Sequence, residues 1–296
     1  VQESIVTTVL FPLALAVVML GLGLSLTVAD FTRVGKHPRA VFVALACQVV
    51  LLPLICLGLV TVTGLEPALA VGMMLLAASP GGTVANLYSH LAGGDVALNI
   101  TLTAVNSVLS AFTLPIVVNL SLTHFMGDGE DIGLQTGKVV QVFAVVLVPV
   151  AIGMLLRRLR PAFAESMRKP VRAASAIIVI GVIVAAIVQE RHQVLDALAD
   201  VGLVAAAFSV ISLLAGYWIP RLARVERRQA IASAMEIGIH NSALAITIAI
   251  SPALLANPRM SIAPAIYALL SFFITAAFGY LLSRAAARPG SPLPAP

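Results

Sequence analysis

Charge is what this sequence has least of. Only 10% of its 296 residues are Asp, Glu, Lys or Arg, and 60% are apolar; soluble domains carry about a quarter charged residues. No polar stretch runs beyond roughly 20 residues, which excludes a separate soluble domain. Cysteine is also scarce. The two present, Cys47 and Cys56, fall in one expected helix. A nine-residue separation there is about 13 Å, too far for a disulfide between them, so both read as small apolar fillers. The spans contain no paired aspartates, and the chain has no G-x-S-x-G and no H-E-x-x-H, which argues against an intramembrane enzyme. A charged ring or a filter repeat of the channel kind is missing as well.

What is present is long apolar runs, with a mean hydropathy of +1.04. The fold class expected is an all-α polytopic membrane protein. Nine runs are long enough to span a bilayer, at residues 5–28, 39–62, 68–92, 95–123, 138–156, 171–189, 200–219, 229–251 and 262–283. The first is too long for a cleavable signal peptide. Fifteen of the 18 basic residues sit in alternate loops and the tail: Arg33, Lys36 and Arg39; Arg157 to Arg172; Arg221 to Arg228; Arg284 and Arg288. The other side holds Lys138, Arg191 and Arg259, with the acidic Asp128, Glu130 and Asp131. The positive-inside rule then places the C-terminus in the cytoplasm and the N-terminus outside, in the inner membrane if the cell is bacterial. This placement accounts for a pI near 9.7 without a nucleic-acid partner.

Two spans carry residues that break helices. Ser79-Pro80-Gly81-Gly82 interrupts 68–92, and Glu236-Ile237-Gly238-Ile239-His240-Asn241-Ser242 interrupts 229–251. Proline lacks a backbone donor and glycine is a poor helix former. Each broken span precedes a long unbroken one, and the two run in opposite directions. That pattern predicts an inverted-topology repeat, four spans (1–124) against five (138–284), followed by a tail at 285–296.

Glu236 is the one acidic residue deep in a span. Its burial costs at least about 2.5–3.5 kcal/mol and calls for a partner. No Lys or Arg lies at that depth, so a cation or a proton is the candidate. Asn86 follows the first break; Asn99, Thr103 and Asn106 share one helix face; Gln48 stands alone in mid-span; His240 lies at the second break. The half-helices restarting near Thr83 and Asn241 expose unpaired N–H groups that suit an anion.

The runs Ser79–Asn86, Leu91–Leu98 and Glu236–Ala245, with Asp30-Phe31 and Lys36-His37-Pro38, resemble the bile acid:sodium symporter family. The resemblance covers nearly the whole chain. It implies a core domain with two crossing helices, and a panel domain that moves against it. It implies a first Na⁺ site at Asn86, Asn99, Thr103 and Glu236. A second would use Gln48, Glu236, His240 and the carbonyls of Ile237 and Ile239. Substrate would meet Thr83, Asn241 and Ser242. Three positions depart from the family pattern: Ala85 replaces a serine, His240 a glutamine, and Phe272 stands where some bacterial members have asparagine.

The function expected is Na⁺-coupled symport, by alternating access, of a small organic anion, bile-acid-like or a smaller carboxylate such as pantoate. The partners expected are that anion, Na⁺ and the bilayer, and the chain is compatible with a monomer. The alternative is a proton-coupled or uncoupled carrier using Glu236 and His240.

Overall fold

The computed structural model describes residues 11–82, 84–127, 136–189, 191–251 and 254–286. They are helical almost throughout, and among them the only β pairing is one isolated bridge. Apolar sequence in lipid has few other choices, because backbone N–H and C=O groups must be satisfied within the chain.

In chain order the helices begin with α1 (Phe11–Ser25), α2 (Val28–Thr32), α3 (Pro38–Ala46) and, after a π-helical turn at Cys47–Leu51, α4 (Leu52–Thr63). Then come α5 (Pro67–Ala78), α6 (Ala85–Leu91), α7 (Val96–Met126), α8 (Thr136–Leu159), α9 (Pro161–Gln189) and α10 (Arg191–Leu222). The last are α11 (Arg227–Gly238), α12 (Ser242–Ile250) and α13 (Ile262–Ala286). Local chemistry sets several boundaries. Pro38 and Pro67 open α3 and α5, where a missing N–H costs nothing. Gly64 closes α4 at φ 63°, a left-handed conformation that glycine adopts freely. Asp95 caps α7 by accepting from Leu98 N–H at 3.0 Å. Buried Asp30 accepts from the backbone and hydroxyl of Thr27, both at 2.7 Å, and from Arg33 at 3.0 Å, fixing the turn into α2.

The expectation of nine spans is corrected here. Among the described residues, four helices are long and apolar enough to cross a membrane: Pro38–Thr63, Val96–Met126, Ala197–Leu222 and Pro258–Arg284. A fifth is reached only by joining Ala16–Ser25 to Val28–Gly35, which are bent by 69°. The reason is physical. The runs 68–92 and 229–251 are split into helices of 12 and 7, and 12 and 9, residues. Twelve residues rise about 18 Å, short of a hydrocarbon core of about 30 Å. Runs 138–156 and 171–189 fall on α8 and α9, many of whose side chains lie outside the described residues, as do Asp128, Glu130 and Asp131. A count of apolar runs therefore overstates the continuous helices. The four-plus-five repeat built on that count goes with it.

The core forms around the split segments. From Ala68 to Ala78 every residue of α5 is buried, and so are all of α12 and nearly all of α11. Large apolar side chains on the surrounding helices face outward, Phe42 at 75% exposure and Val62 at 88% among them; a bilayer supplies the solvent for such a surface. Helices α1, α8 and α9 pack chiefly on one another. Gly23 and Gly153 make the α1–α8 contact possible. A Cβ on Gly23 would overlap the Val150 backbone, and one on Gly153 the backbone of Leu20 to Leu24.

At the end of the bundle opposite the basic loops, the Arg259 guanidinium forms a two-pronged ion pair with Glu66, which holds the Glu66 carboxyl below its ordinary range. This ties the residue before α5 to the turn after α12.

Gly23→Ala should cost about 1–3 kcal/mol, by overpacking. Gly58→Ala, where an added Cβ meets nothing within 4 Å, should be neutral or stabilising. Thermal melts of the purified protein in detergent compare the two.

Candidate cation site at a helix crossing

Pro80 dictates the first break. The residue before a proline is pushed out of the helical region, and Ser79 is extended at φ −72°, ψ 150°. In the second broken segment α11 ends at Gly238, and Ile239 is extended at φ −121°, ψ 98°. The two breaks then pair with each other. Gly81 and His240 form an antiparallel bridge. Gly82 N–H donates to the Ile239 carbonyl and Asn241 N–H to the Pro80 carbonyl, both at 2.8 Å. Each break thus supplies the partners that the other's unwound backbone needs.

Glu236, in the last turn of α11, is 2% exposed. Its Oε2 accepts from Asn99 Nδ2 at 2.8 Å and from the Thr103 hydroxyl at 2.6 Å, so α7 holds the carboxylate from one side. The Thr103 hydroxyl also lies 3.0 Å from the Asn99 carbonyl, and its single proton serves one acceptor at a time. From the other side Gly81 presses close: a Cβ there would collide with the carboxyl group. Glu236 Oε1 and Asn99 Oδ1 are both buried and make no hydrogen bond of good geometry among the described residues, with the Gly81 backbone as a further donor close to the carboxyl group. Two adjacent residues thus offer oxygens of a kind that a hard cation binds.

A second set lies around the same crossing. Gln48 sits in the π-helical turn of residues 47–51, a distortion frequent at functional sites. Its Nε2 donates to the Ser79 carbonyl at 3.2 Å and its Oε1 has no partner among the described residues. His240 Nδ1 lies 3.0 Å from the Tyr267 hydroxyl, which lies 2.9 Å from the Gly238 carbonyl. A carbonyl only accepts, so the phenol donates to Gly238 and receives the Nδ1 proton of the neutral ring. The lone pair is then on Nε2, which is buried and without a partner among the described residues. Phe208 packs against both rings, at 5.2 Å from His240 and 6.0 Å from Tyr267.

The structure therefore brings Asn99, Thr103 and Glu236 together, and sets Gln48 and His240 against the paired breaks. The Ile239 carbonyl already accepts from Gly82, which leaves it one lone pair. Asn86 is the second residue of α6, just past the bridge, whereas Asn106, two turns along α7, makes no bond to the carboxylate. Asn241 caps α12, its Oδ1 accepting from Leu244 N–H at 3.0 Å, and Ser242 is the first helical residue. Thr83 lies outside the described residues. Sequence reasoning missed Tyr267, the contact of Gly81 with Glu236 and the π-helical turn. A tyrosine in mid-span is itself a buried polar group needing a partner, and that signal was available.

A family profile described as "Sodium Bile acid symporter family" matches residues 12–197, well over half the chain. The chain belongs to the bile acid:sodium symporter family. Among its relatives, the "Uncharacterized sodium-dependent transporter YocS" of Bacillus subtilis is 27% identical over 239 residues, 79% of this chain and 72% of that protein. The "Ileal sodium/bile acid cotransporter" of Oryctolagus cuniculus is 23% identical over 246 residues, 83% and 70%. The rice "Probable sodium/metabolite cotransporter BASS2, chloroplastic" is 26% identical over 258 residues, 84% of this chain but 59% of that one. As a family member the chain is an integral, multi-pass α-helical membrane protein. Among the described residues no three His, Cys, Asp or Glu side chains come together. The oxygens gathered at the crossing are those of amides, hydroxyls and backbone carbonyls around one carboxylate, with the His240 nitrogen beside them.

Thr103→Val removes a donor to buried Glu236 and should lower stability by about 1–3 kcal/mol, with Thr103→Ser recovering most of it. Denaturation midpoints in one detergent give the comparison; equal midpoints for the two variants would contradict the assigned bond.

Proposed function

We propose that this protein is a Na⁺-coupled symporter of a small organic anion that works by alternating access. The observation that carries the reading is the pair of buried oxygens at the crossing, Glu236 Oε1 and Asn99 Oδ1, that make no hydrogen bond of good geometry among the described residues. An isolated carboxylate at this depth is costly, and its hydrogen bonds come from neutral groups only. A Na⁺ ion bound beside it removes that cost. The first ion takes Asn86, Asn99, Thr103 and Glu236. The second takes Gln48, Glu236, the Ile237 and Ile239 carbonyls and His240, where the imidazole Nε2 is a poorer Na⁺ ligand than the amide oxygen it replaces.

The substrate anion is read at the start of α12, near Asn241 and Ser242, with Thr83 across the first break. The relatives' names point to bile acids and other metabolites; a bile acid or a smaller carboxylate such as pantoate fits the anion reading. The basic loops favour a cytoplasmic C-terminus and an outer N-terminus. The mutual packing of α1, α8 and α9 supports their moving as one body against the rest. Filling the cation sites stabilises the outward-open state, because Na⁺ binds that state better.

Proteoliposomes loaded without Na⁺ and diluted into Na⁺ should accumulate a labelled bile acid or pantoate, and Glu236→Gln should abolish the accumulation. Uptake indifferent to Na⁺ but driven by a proton gradient, and flattened in its pH profile by His240→Gln, would overturn Na⁺ coupling in favour of a proton carried by Glu236 and His240.

A further inference from the structure

Away from the crossing, the end of the bundle opposite the basic loops holds a cavity of about 490 Å³. Its walls come from the turn between α4 and α5 (Thr63 to Glu66), from Leu69 of α5, from Ala197, Asp200 and Val204 of α10, and from Arg259 before α13. The floor is apolar: Leu65, Leu69, Ala197 and Val204 are all buried. Leu203 beside them is exposed and carries the apolar wall out to the surface. An apolar lining with a few polar groups is the make-up of a small-molecule site.

The mouth is polar, and its charges do not balance. Arg259 is turned onto Glu66, and that pair is neutral. Asp200 is exposed and makes no hydrogen bond or ion pair among the described residues. Two carboxylates against one guanidinium leave one net negative charge. The Thr63 hydroxyl donates to the Leu59 carbonyl at 2.8 Å, so lone pairs are what it has left for the cavity. The end of α4 and the start of α5 both reach this turn, and their opposite partial charges offset each other. A cation entering the cavity finds acceptors, whereas an anion finds a guanidinium already paired with Glu66.

We propose that this cavity binds an organic ammonium ion, with the charged group at Asp200 and the apolar body on Leu65, Leu69 and Val204. The site is separate from the crossing and does not rest on the cation reading there. An inorganic cation gains nothing from the apolar floor, and a neutral molecule gains nothing from Asp200. The two together select an amine that carries a hydrocarbon part.

Binding of radiolabelled phenethylammonium to the purified full chain in nanodiscs tests this, with empty nanodiscs as background. Wild type should bind it saturably, one per chain. Unlabelled 2-phenylethanol and phenylacetate should compete several-fold less well than unlabelled phenethylammonium. Asp200→Asn should weaken binding several-fold, the effect of a half-solvated ion pair. Ala199→Trp, which places a bulky ring in the mouth, should abolish it. Both residues are exposed, so neither change disturbs the packed floor, and unchanged melting temperatures check that. Absence of saturable binding would overturn the proposal. So would equal competition by 2-phenylethanol, or unchanged affinity in Asp200→Asn, either of which describes apolar partition alone. Preferred binding of phenylacetate would make this an anion site and overturn it as well. Binding should be equal in NaCl and KCl of one concentration; displacement by Na⁺ alone would put the amine at the crossing instead.

Discussion

Everything else at the centre of this protein depends on two broken helices completing each other. Backbone left unwound in an apolar interior needs partners that the local chain cannot supply. The antiparallel bridge between Gly81 and His240, with flanking bonds of 2.8 Å on either side, gives them. The pairing fixes the distance between the breaks, and so fixes where Glu236, Gln48 and His240 stand. A glycine at 81 is part of that geometry, since any side chain would occupy the space of the Glu236 carboxyl group.

The crossing then sets an electrostatic problem. One buried carboxylate is held by an amide and a hydroxyl of α7, and its other oxygen makes no hydrogen bond of good geometry among the described residues. Neutral donors alone leave a buried carboxylate poorly compensated. A mobile cation resolves the problem only while it is bound. That makes the site's energy depend on occupancy, which is what coupling two solutes requires: the ligand shifts the equilibrium between states by its differential affinity for them.

How much of this was legible in the sequence differs from one part to the next. Pro80 and its two glycines announce the first break, because their backbone chemistry is local. Asn99 and Thr103, one helical turn apart, announce a polar face, and the only deep carboxylate, Glu236, announces its own need for partners. The tertiary pairing between breaks 159 residues apart, Gly81 with His240, was not legible, since no local signal links those segments. Nor was the π-helical turn that carries Gln48. The span count failed for a related reason. Hydropathy reads a run as one element, whereas the chain splits residues 68–92 and 229–251 into short helices and turns by 69° between Ser25 and Val28, where the first apolar run ends. Family membership was readable because the breaks carry specific residues in a fixed order. That Tyr267 needs a partner was readable, but that the partner is His240 depends on packing between distant helices.

The central claim is that the Glu236 carboxylate at the crossing holds Na⁺. Thermal melts of the purified protein across a Na⁺ titration, with ionic strength held constant by choline, test it most directly. The account predicts a saturable rise in melting temperature for wild type that is absent in Glu236→Gln. A rise of the same size in both proteins, or none in wild type, would contradict it.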